Sequence, residues 1–404
     1  MRKIYKAALC CLIAFLLLIP EGALAYDDYH HPIRVQIGTG SSAGIMITAG
    51  KYDVINGSGS VVSSLGQGSS VTLSNGMLLS SVDGLGRYKL NSNGNEYRGD
   101  CKVSNGNIVS ILGQEEYLYS VVMSEIGGYY PDNEALKAQA VAARSLSARK
   151  IKSPRSADYD ILSSTSDQVY KGYSGENASS AVAGRIRTSV DATCDEVAFY
   201  GNEIADTVYM ANAGGHTENV SNVWGGNLPY LNGVDSHWDA LPFKGDAGNY
   251  KSIKMPTGYQ WSYTISAADL SAKVGGIGTV TSVTTDKTGC ASGYAKTVTV
   301  TGTSGSKTYK GSEFRSLLSL RSSNFNINPG FKVTAAKPFS LQHLSGAEYL
   351  AQMIVNCICF NIEGYGYGHS VGMSQWAACV MADEGYSYDA ILKHFYSGIE
   401  IKNW

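Results

Sequence analysis

The hydrophobic period of this chain changes at Glu115, and that change limits the fold more than any other feature of the sequence. From His31 to about Gly113 the pattern is short and alternating: "IRVQIG", "AGIMITAG", "SVTLSNG" and "IVSILG", punctuated by Gly, Ser and Asn. Apolar residues two apart line one face of a strand, so this stretch is predicted to be strands and hairpins. Beyond Glu115 the apolar residues Leu118, Val121 and Val122 recur at helical spacing through Ile126. Gly127-Gly128 stops that helix, and Pro131-Asp132-Asn133-Glu134 starts another that runs through "ALKAQAVAARSLSARK". So many alanines let a helix approach its neighbours closely, which predicts a central position.

From about Ser156 to Tyr250 the chain reads as loops with short strands, "VAFY" and "ADTVYM" among them. A small α+β module follows: a strand in "KSIKMPTGYQWSYTIS", the helix "AADLSAKV", strands ending in "KTVTVTG" and "KTYKG", and a helix from near Ser312. The strand "AQMIVNCICFNIEG" then leads into the Gly-rich "YGYGHSVGMSQWAACVMADEG", a loop and a helix that Gly385 caps. Ser387 caps the last helix, "YDAILKHFYSG". The fold class expected is α+β, with mixed small sheets around central helices, an elongated substrate cleft and a smaller inserted α+β module. The boundaries expected are a signal peptide over 1–25, a β-rich region over 26–113 and a catalytic core over 114–249. The inserted module covers 250–330, and a strand, Gly-rich loop and helices over 331–404 complete the core.

The start of the chain supplies an address. A basic head, Met1-Arg-Lys-Ile-Tyr-Lys, precedes the apolar run from Ala7 to Pro20 and the small-x-small end Ala23-Leu24-Ala25. That is the pattern of a secretory signal peptide, with a mature chain from about Tyr26 and an extracytoplasmic, secreted or cell-wall or membrane-associated location. The apolar run is short of the roughly 20 residues that a spanning helix needs. Retention as an uncleaved anchor is the competing reading. Charged residues make up only 16% of the chain and the net charge is −2, which argues against a nucleic-acid partner, because phosphate-tracking proteins carry a basic face. The 27 tyrosines suit sugar rings, since each offers a flat apolar face and a hydroxyl. Six cysteines follow the signal segment, Cys101, Cys194, Cys290, Cys357, Cys359 and Cys379, with spacing unlike a metal site. Disulfides and buried small apolar residues both remain open for them.

One acid interrupts the first helix. Glu125 shares the stripe of Leu118, Val121 and Val122, at a position where the pattern calls for a core residue. Partial desolvation and the negative end of the helix dipole both favour a protonated carboxyl there, as a general acid requires. The alternative is a glutamate at a frayed helix end that turns to water or pairs with Lys137 or Arg144. Glycosidases use two carboxylates, and no second one stands out near Glu125. Where the attacking hydroxyl belongs to the substrate, one carboxyl can donate a proton and take one back.

Three long blocks then carry a resemblance: "YLYSVVMSEIGGYYPDNEALKAQAVAARSLSARK", "YMANAGGHTENVSNVWGGNLPYLNGVDSHWD" and "GYGYGHSVGMSQWAACVMADEGYSYDAILKHFYSGIEI". Together, and in this order, they resemble the stage II sporulation protein D family of peptidoglycan lytic transglycosylases. The resemblance implies cleavage between N-acetylmuramic acid and N-acetylglucosamine in peptidoglycan glycan strands, with anhydro-muramic acid as product and a preference for strands stripped of their stem peptides. It implies Glu125 as the catalytic acid. By motif it also implies substrate contacts at Lys137 and Arg144, which are two helical turns apart, and at Tyr230, His369 and Gln375. The ordinary alternatives are a solvated helix face for Lys137, packing for Tyr230 and a structural role for His369.

Two departures from the family pattern bear on cofactors and on rival activities. Some members carry zinc on Cys and His just before a "QVY" segment, whereas this chain reads "SSTSDQVYKGY", with Asp167 there; no cofactor is expected. Ser370 in "GHSVG" mimics the G-x-S-x-G elbow of serine hydrolases, but too little chain follows Gly372 for the acid and histidine such enzymes place later, Asp383, Asp389 and His394 being the candidates. A metallohydrolase on His216, Glu218, His237 and His369 lacks any HExxH motif. A non-enzymatic alternative is a glycan-binding modifier or activator of a cell-wall amidase, which makes such an amidase a possible partner.

Overall fold

In the computed structural model of the chain the residues described are 29–129, 131–244, 256, 258–331 and 358–404. The signal segment, the beginnings of the "KSIKMPTGYQ" and "AQMIVNCICF" stretches, and Cys357 lie outside them. The fold is α+β, as its changes of period predict. It divides into two compact units: 1–130 with 143–197 and 402–404, and 131–142 with 198–401.

In the first unit the alternating segments form β1 (Pro32–Thr39), β2 (Ser42–Ala49), β3 (Lys51–Ile55), β4 (Val61–Gly66), β5 (Ser70–Ser74) and β6 (Leu78–Ser81). They continue as β7 (Arg87–Leu90), β8 (Glu96–Arg98), β9 (Asp100–Ser104), β10 (Asn107–Gly113) and the short β11 (Ile161–Leu162). A seven-stranded sheet runs β11-β1-β10-β9-β6-β3-β4, and a four-stranded one runs β5-β2-β7-β8. The registers bring period-2 residues inward: Ile33 and Val35 on β1, and Ile45 and Ile47 on β2, are buried.

Five of the 27 tyrosines are part of the first unit's core. Tyr52, Tyr88, Tyr97, Tyr170 and Tyr117 are all buried and in that order follow one another at ring-centroid separations from 5.1 to 6.2 Å. Large rings in a sheet-rich core bury much area and still find hydrogen bonds for their hydroxyls: Tyr52 donates to the Gly99 carbonyl and Tyr117 to Gln168 Oε1. Helices α1 (Gln114–Glu125), α2 (Asn133–Lys152), α3 (Gly172–Glu176) and α4 (Ser180–Asp191) follow the strands. The division between the units falls within α2, between Ala142 and Ala143.

The second unit comprises β12 (Glu196–Tyr200), which begins two residues before it, β13 (Glu203–Ile204), β14 (Tyr209–Met210), β15 (Gly215–His216), α5 (Val220–Val223) and β16 (Asp235–Ser236). The α+β module contributes β17 (Gln260–Ser266), α6 (Ala267–Val274), β18 (Val280–Asp286), β19 (Thr297–Gly302), β20 (Gly305–Lys310), α7 (Gly311–Leu318) and β21 (Phe325–Phe331). Two three-stranded sheets, β18-β19-β20 and β17-β22-β21 with β22 (Ile358–Tyr365), enclose a core of Trp261, Ile265, Leu270, Phe314, Phe325 and Phe360. After the Gly-rich loop come β23 (Met373–Ser374), α8 (Gln375–Asp383) and α9 (Tyr388–Phe395). β14 and β23 are parallel, with Tyr209 opposite Met373. Ser374 and Ser387 cap α8 and α9, their hydroxyls accepting the Ala377 and Ala390 N–H groups.

Candidate functional site

In the first unit Glu125 is the last residue of α1. Tyr117, Leu118, Val121 and Val122 are fully buried along the same helix, and Glu125 is half-buried at its end. The Val169 backbone N–H donates to Glu125 Oε1 at 2.8 Å. That donor belongs to the "QVY" segment, whose preceding residue Gln168 is buried and spans the Tyr117 hydroxyl and the Ala143 carbonyl. The segment is therefore a scaffold that fixes the Glu125 rotamer. The bond holds one carboxylate oxygen of Glu125 in place against the segment.

The basic residues expected as partners of Glu125 have other engagements. Arg144 has no accessible surface; its Nε and Nη2 donate to the two carboxylate oxygens of Glu115, both at 2.7 Å, and Nη1 and Nη2 donate to the Glu196 and Val190 carbonyls at 3.1 Å. A guanidinium with this many protein acceptors and no exposure ties α1 to α2 and α4, and it has no surface to offer a substrate. Lys137, in the second unit, donates to Glu134 Oε1 at 2.7 Å and lies 5.7 Å from the Tyr388 ring centroid. It is half-buried.

The residues before "QVY" do not fit zinc. Asp167 Oδ1 and Oδ2 accept from Arg155 at 2.7 and 2.5 Å, and Lys150 Nζ lies 3.5 Å from Oδ1. These are the surroundings of an ion-paired carboxylate, with no imidazole or thiolate donor from the segment to join it.

In the second unit the Gly-rich loop and the 209–216 segment are cross-linked by polar groups. His369 Nδ1 accepts the Val371 N–H at 3.2 Å, which leaves Nε2–H to donate to the Tyr209 carbonyl at 3.0 Å. Burial pushes the His369 pKa down to about 4, so the ring is neutral at physiological pH. With both nitrogens committed, His369 holds the loop rather than shuttling protons. The ring packs 4.9 Å from that of Trp224, which is 52% exposed. Tyr367, two residues earlier, is also exposed. Gln375 opens α8, buried, with Nε2 donating to Gln139 Oε1 at 3.3 Å. Tyr230 is buried, its hydroxyl accepting the Asp206 N–H and its ring 5.2 Å from that of Tyr200.

Asp239 was not anticipated. It is fully buried; Oδ1 accepts from the Ser374 hydroxyl at 2.5 Å and Oδ2 from the Ala213 and Gly215 N–H groups at 3.1 Å. Desolvation raises its pKa to about 6 against the pull of those bonds. It thereby joins the cap of α8 to the loop before His216. A lone acid in "HWDA" gives no sign of this, because the Ala213, Gly215 and Ser374 groups it binds lie far away in the chain.

The rival activities lose their geometry. Ser370 does sit at φ +69, as a strained elbow serine would. It is buried, however, while His369 is occupied by Tyr209 and Val371, His394 faces the Asp235 carbonyl, and Asp383 accepts the Lys244 N–H. Glu218, a ligand in the metallohydrolase alternative, takes donors from Asn219, Asn222 and Ser292 instead. Among the described residues no helix is long and apolar enough to cross a membrane.

Comparison with known proteins converges on one family. The family model described as "Stage II sporulation protein" matches residues 103–200, which include Glu125 and Val169. The chain is similar to an uncharacterised protein of Brachyspira hyodysenteriae, 30% identical over 319 residues that cover 77% of this chain and 74% of that one. It is 29% identical to stage II sporulation protein D of Bacillus subtilis over 71% of this chain and 74% of that protein. A third relative, the amidase enhancer of Bacillus subtilis, is 27% identical over 67% of this chain but only 38% of its own length. The chain thus belongs to the stage II sporulation protein D family.

Proposed function

We propose that this protein is an exported lytic transglycosylase acting on peptidoglycan glycan strands, those already denuded of stem peptides above all, with Glu125 as its single acid and base. The observation that carries the reading is the half-buried carboxyl of Glu125 held by the Val169 N–H within the region the family shares. In the reaction Glu125 delivers its proton to the glycosidic oxygen as the bond to muramic C1 breaks. The C6 hydroxyl of the same muramyl residue attacks C1, and its proton returns to the carboxylate. The new C1–O6 bond closes the anhydro ring, and atoms balance without water. One carboxyl serves both steps, so the reaction asks for no metal or cofactor. Within the second unit, the half-buried Lys137 and the exposed Trp224 and Tyr367 faces are cationic and stacking groups of the kind that suit an N-acetylated sugar, while Gln375, buried against Gln139, would act by holding the start of α8.

The test is product analysis. Mature protein incubated with denuded sacculi is expected to release fragments ending in anhydro-muramic acid, detected by mass spectrometry, and Glu125→Gln to reduce that release at least about 100-fold, within the usual worth of general acid–base catalysis. Hydrolysed reducing ends alone would falsify the intramolecular mechanism. The amidase-enhancer relative supports a second reading, a glycan-binding activator of a cell-wall amidase. Under it Glu125→Gln keeps glycan affinity, the wild type makes no anhydro ends, and adding the protein raises amidase turnover.

A further inference from the structure

Away from Glu125 and the Gly-rich loop, one group of side chains in the first unit combines metal-ligand chemistry from two distant parts of the chain. His30 and His31 precede β1, and Cys194 and Asp195 occupy the turn between α4 and β12. His30 Nε2 is 2.6 Å and His31 Nε2 3.6 Å from the same oxygen, Asp195 Oδ1, and ligand atoms of the three residues lie within 4.8 Å of one another. Cys194 Sγ, Asp195 and Glu115 form a second such group, sharing Asp195 with the first. The Glu115 carboxylate is already taken by Arg144, which leaves the thiol as the available fourth donor. We propose that His30, His31, Asp195 and Cys194 bind a divalent zinc-class ion that fastens the start of β1 to the turn after α4.

The donor set selects the metal. Two imidazoles, one carboxylate and one thiolate suit zinc or cobalt and disfavour magnesium and calcium, which take oxygen. Zinc–ligand bonds of about 2.0 to 2.3 Å put neighbouring ligand atoms roughly 3.3 to 3.7 Å apart in a tetrahedron. The His31–Asp195 separation of 3.6 Å already matches that spacing, and His30, 2.6 Å from the same oxygen and 62% exposed, has room to draw back. Around the ligands the backbone is held in costly conformations: His31 at φ +46 and Asp195 at φ +64, neither a glycine. Trp404 braces both, since its ring stacks on His31 at 4.2 Å and 18° while its backbone N–H donates to the Asp195 carbonyl at 3.3 Å. Such outer contacts orient ligands at metal sites. Binding deprotonates Cys194 and releases that proton to solvent. None of the four residues belongs to the "QVY" segment.

The experiment uses the full mature chain, demetallated and reduced, with zinc and cobalt as probes. Isothermal titration is expected to give one equivalent of zinc, with affinity reduced at least about 10-fold in His31→Ala and in Asp195→Asn, each of which removes a single ligand. Cobalt is expected to show tetrahedral visible bands together with a thiolate charge-transfer band that Cys194→Ser abolishes. Circular dichroism confirms that the variants are folded, and at equal zinc concentration the melting temperature of the wild type is expected to rise more than that of Asp195→Asn. Equal zinc binding by wild type and both ligand variants, or a wild-type cobalt complex without the thiolate band, overturns the proposal.

Discussion

Replacing Asp239 by Asn isolates what a buried charge costs the loop network of the second unit. The carboxyl titrates at about 6 in the fold against an ordinary 3.8. A folded-state pKa raised in this way means that the native protein holds the proton more tightly than the unfolded chain. The group therefore favours folding below about pH 3.8 and loses that contribution as pH rises through 6. Between pH 4 and pH 7 the loss integrates to roughly 2 kcal/mol, at about 1.4 kcal/mol per pK unit. Asn does not titrate and keeps an oxygen for the Ala213 and Gly215 N–H groups and an amide for the Ser374 hydroxyl. Any fixed cost of the change is independent of pH and drops out of the comparison. Urea unfolding of both proteins at steps between pH 4 and 7 is expected to show the variant gaining roughly 2 kcal/mol on the wild type across that range. A difference flat to within about 0.5 kcal/mol, or one moving the other way, would refute the assignment of Asp239 as a carboxylate ionised at a cost to the fold.

His369 acts with the opposite sign. Its pKa is lowered to about 4, so protonation of the unfolded chain below 6.5 draws the protein toward unfolding; His369→Gln should lose roughly 2 to 3 kcal/mol less than the wild type between pH 6.5 and 4, measured by the same urea series. Arg144→Met leaves the Glu115 carboxylate beside a buried methionine and is expected to cost about 3 to 5 kcal/mol in denaturant unfolding; a cost under about 1 kcal/mol would remove the scaffold role given to that pair.

The elements readable from sequence were those whose cause is local. Ile33, Val35, Ile45 and Ile47 are buried because period 2 is a property of neighbouring residues, and the α1 stripe of Leu118, Val121 and Val122 is buried for the equivalent helical reason. Glu125 stood out by the same logic, as an acid breaking a local pattern, and its half-buried place at the end of α1 agrees with that pattern. What sequence could not supply is the identity of partners far along the chain. The spacing of Lys137 and Arg144 implies a shared helix face, yet Arg144 is wholly buried because Glu115, on the preceding helix, meets its Nε and Nη2. Tyrosine counts cannot distinguish a sugar platform from a core, since the same ring serves either, and in the first unit five of them became core. Asp239 shows the limit most sharply: a single acid among ordinary residues becomes the hub of a loop only through Ala213, Gly215 and Ser374. Polar function in this fold is therefore set by pairings between distant segments, and the one catalytic candidate that sequence could find is the one whose oddity lies within a single helix.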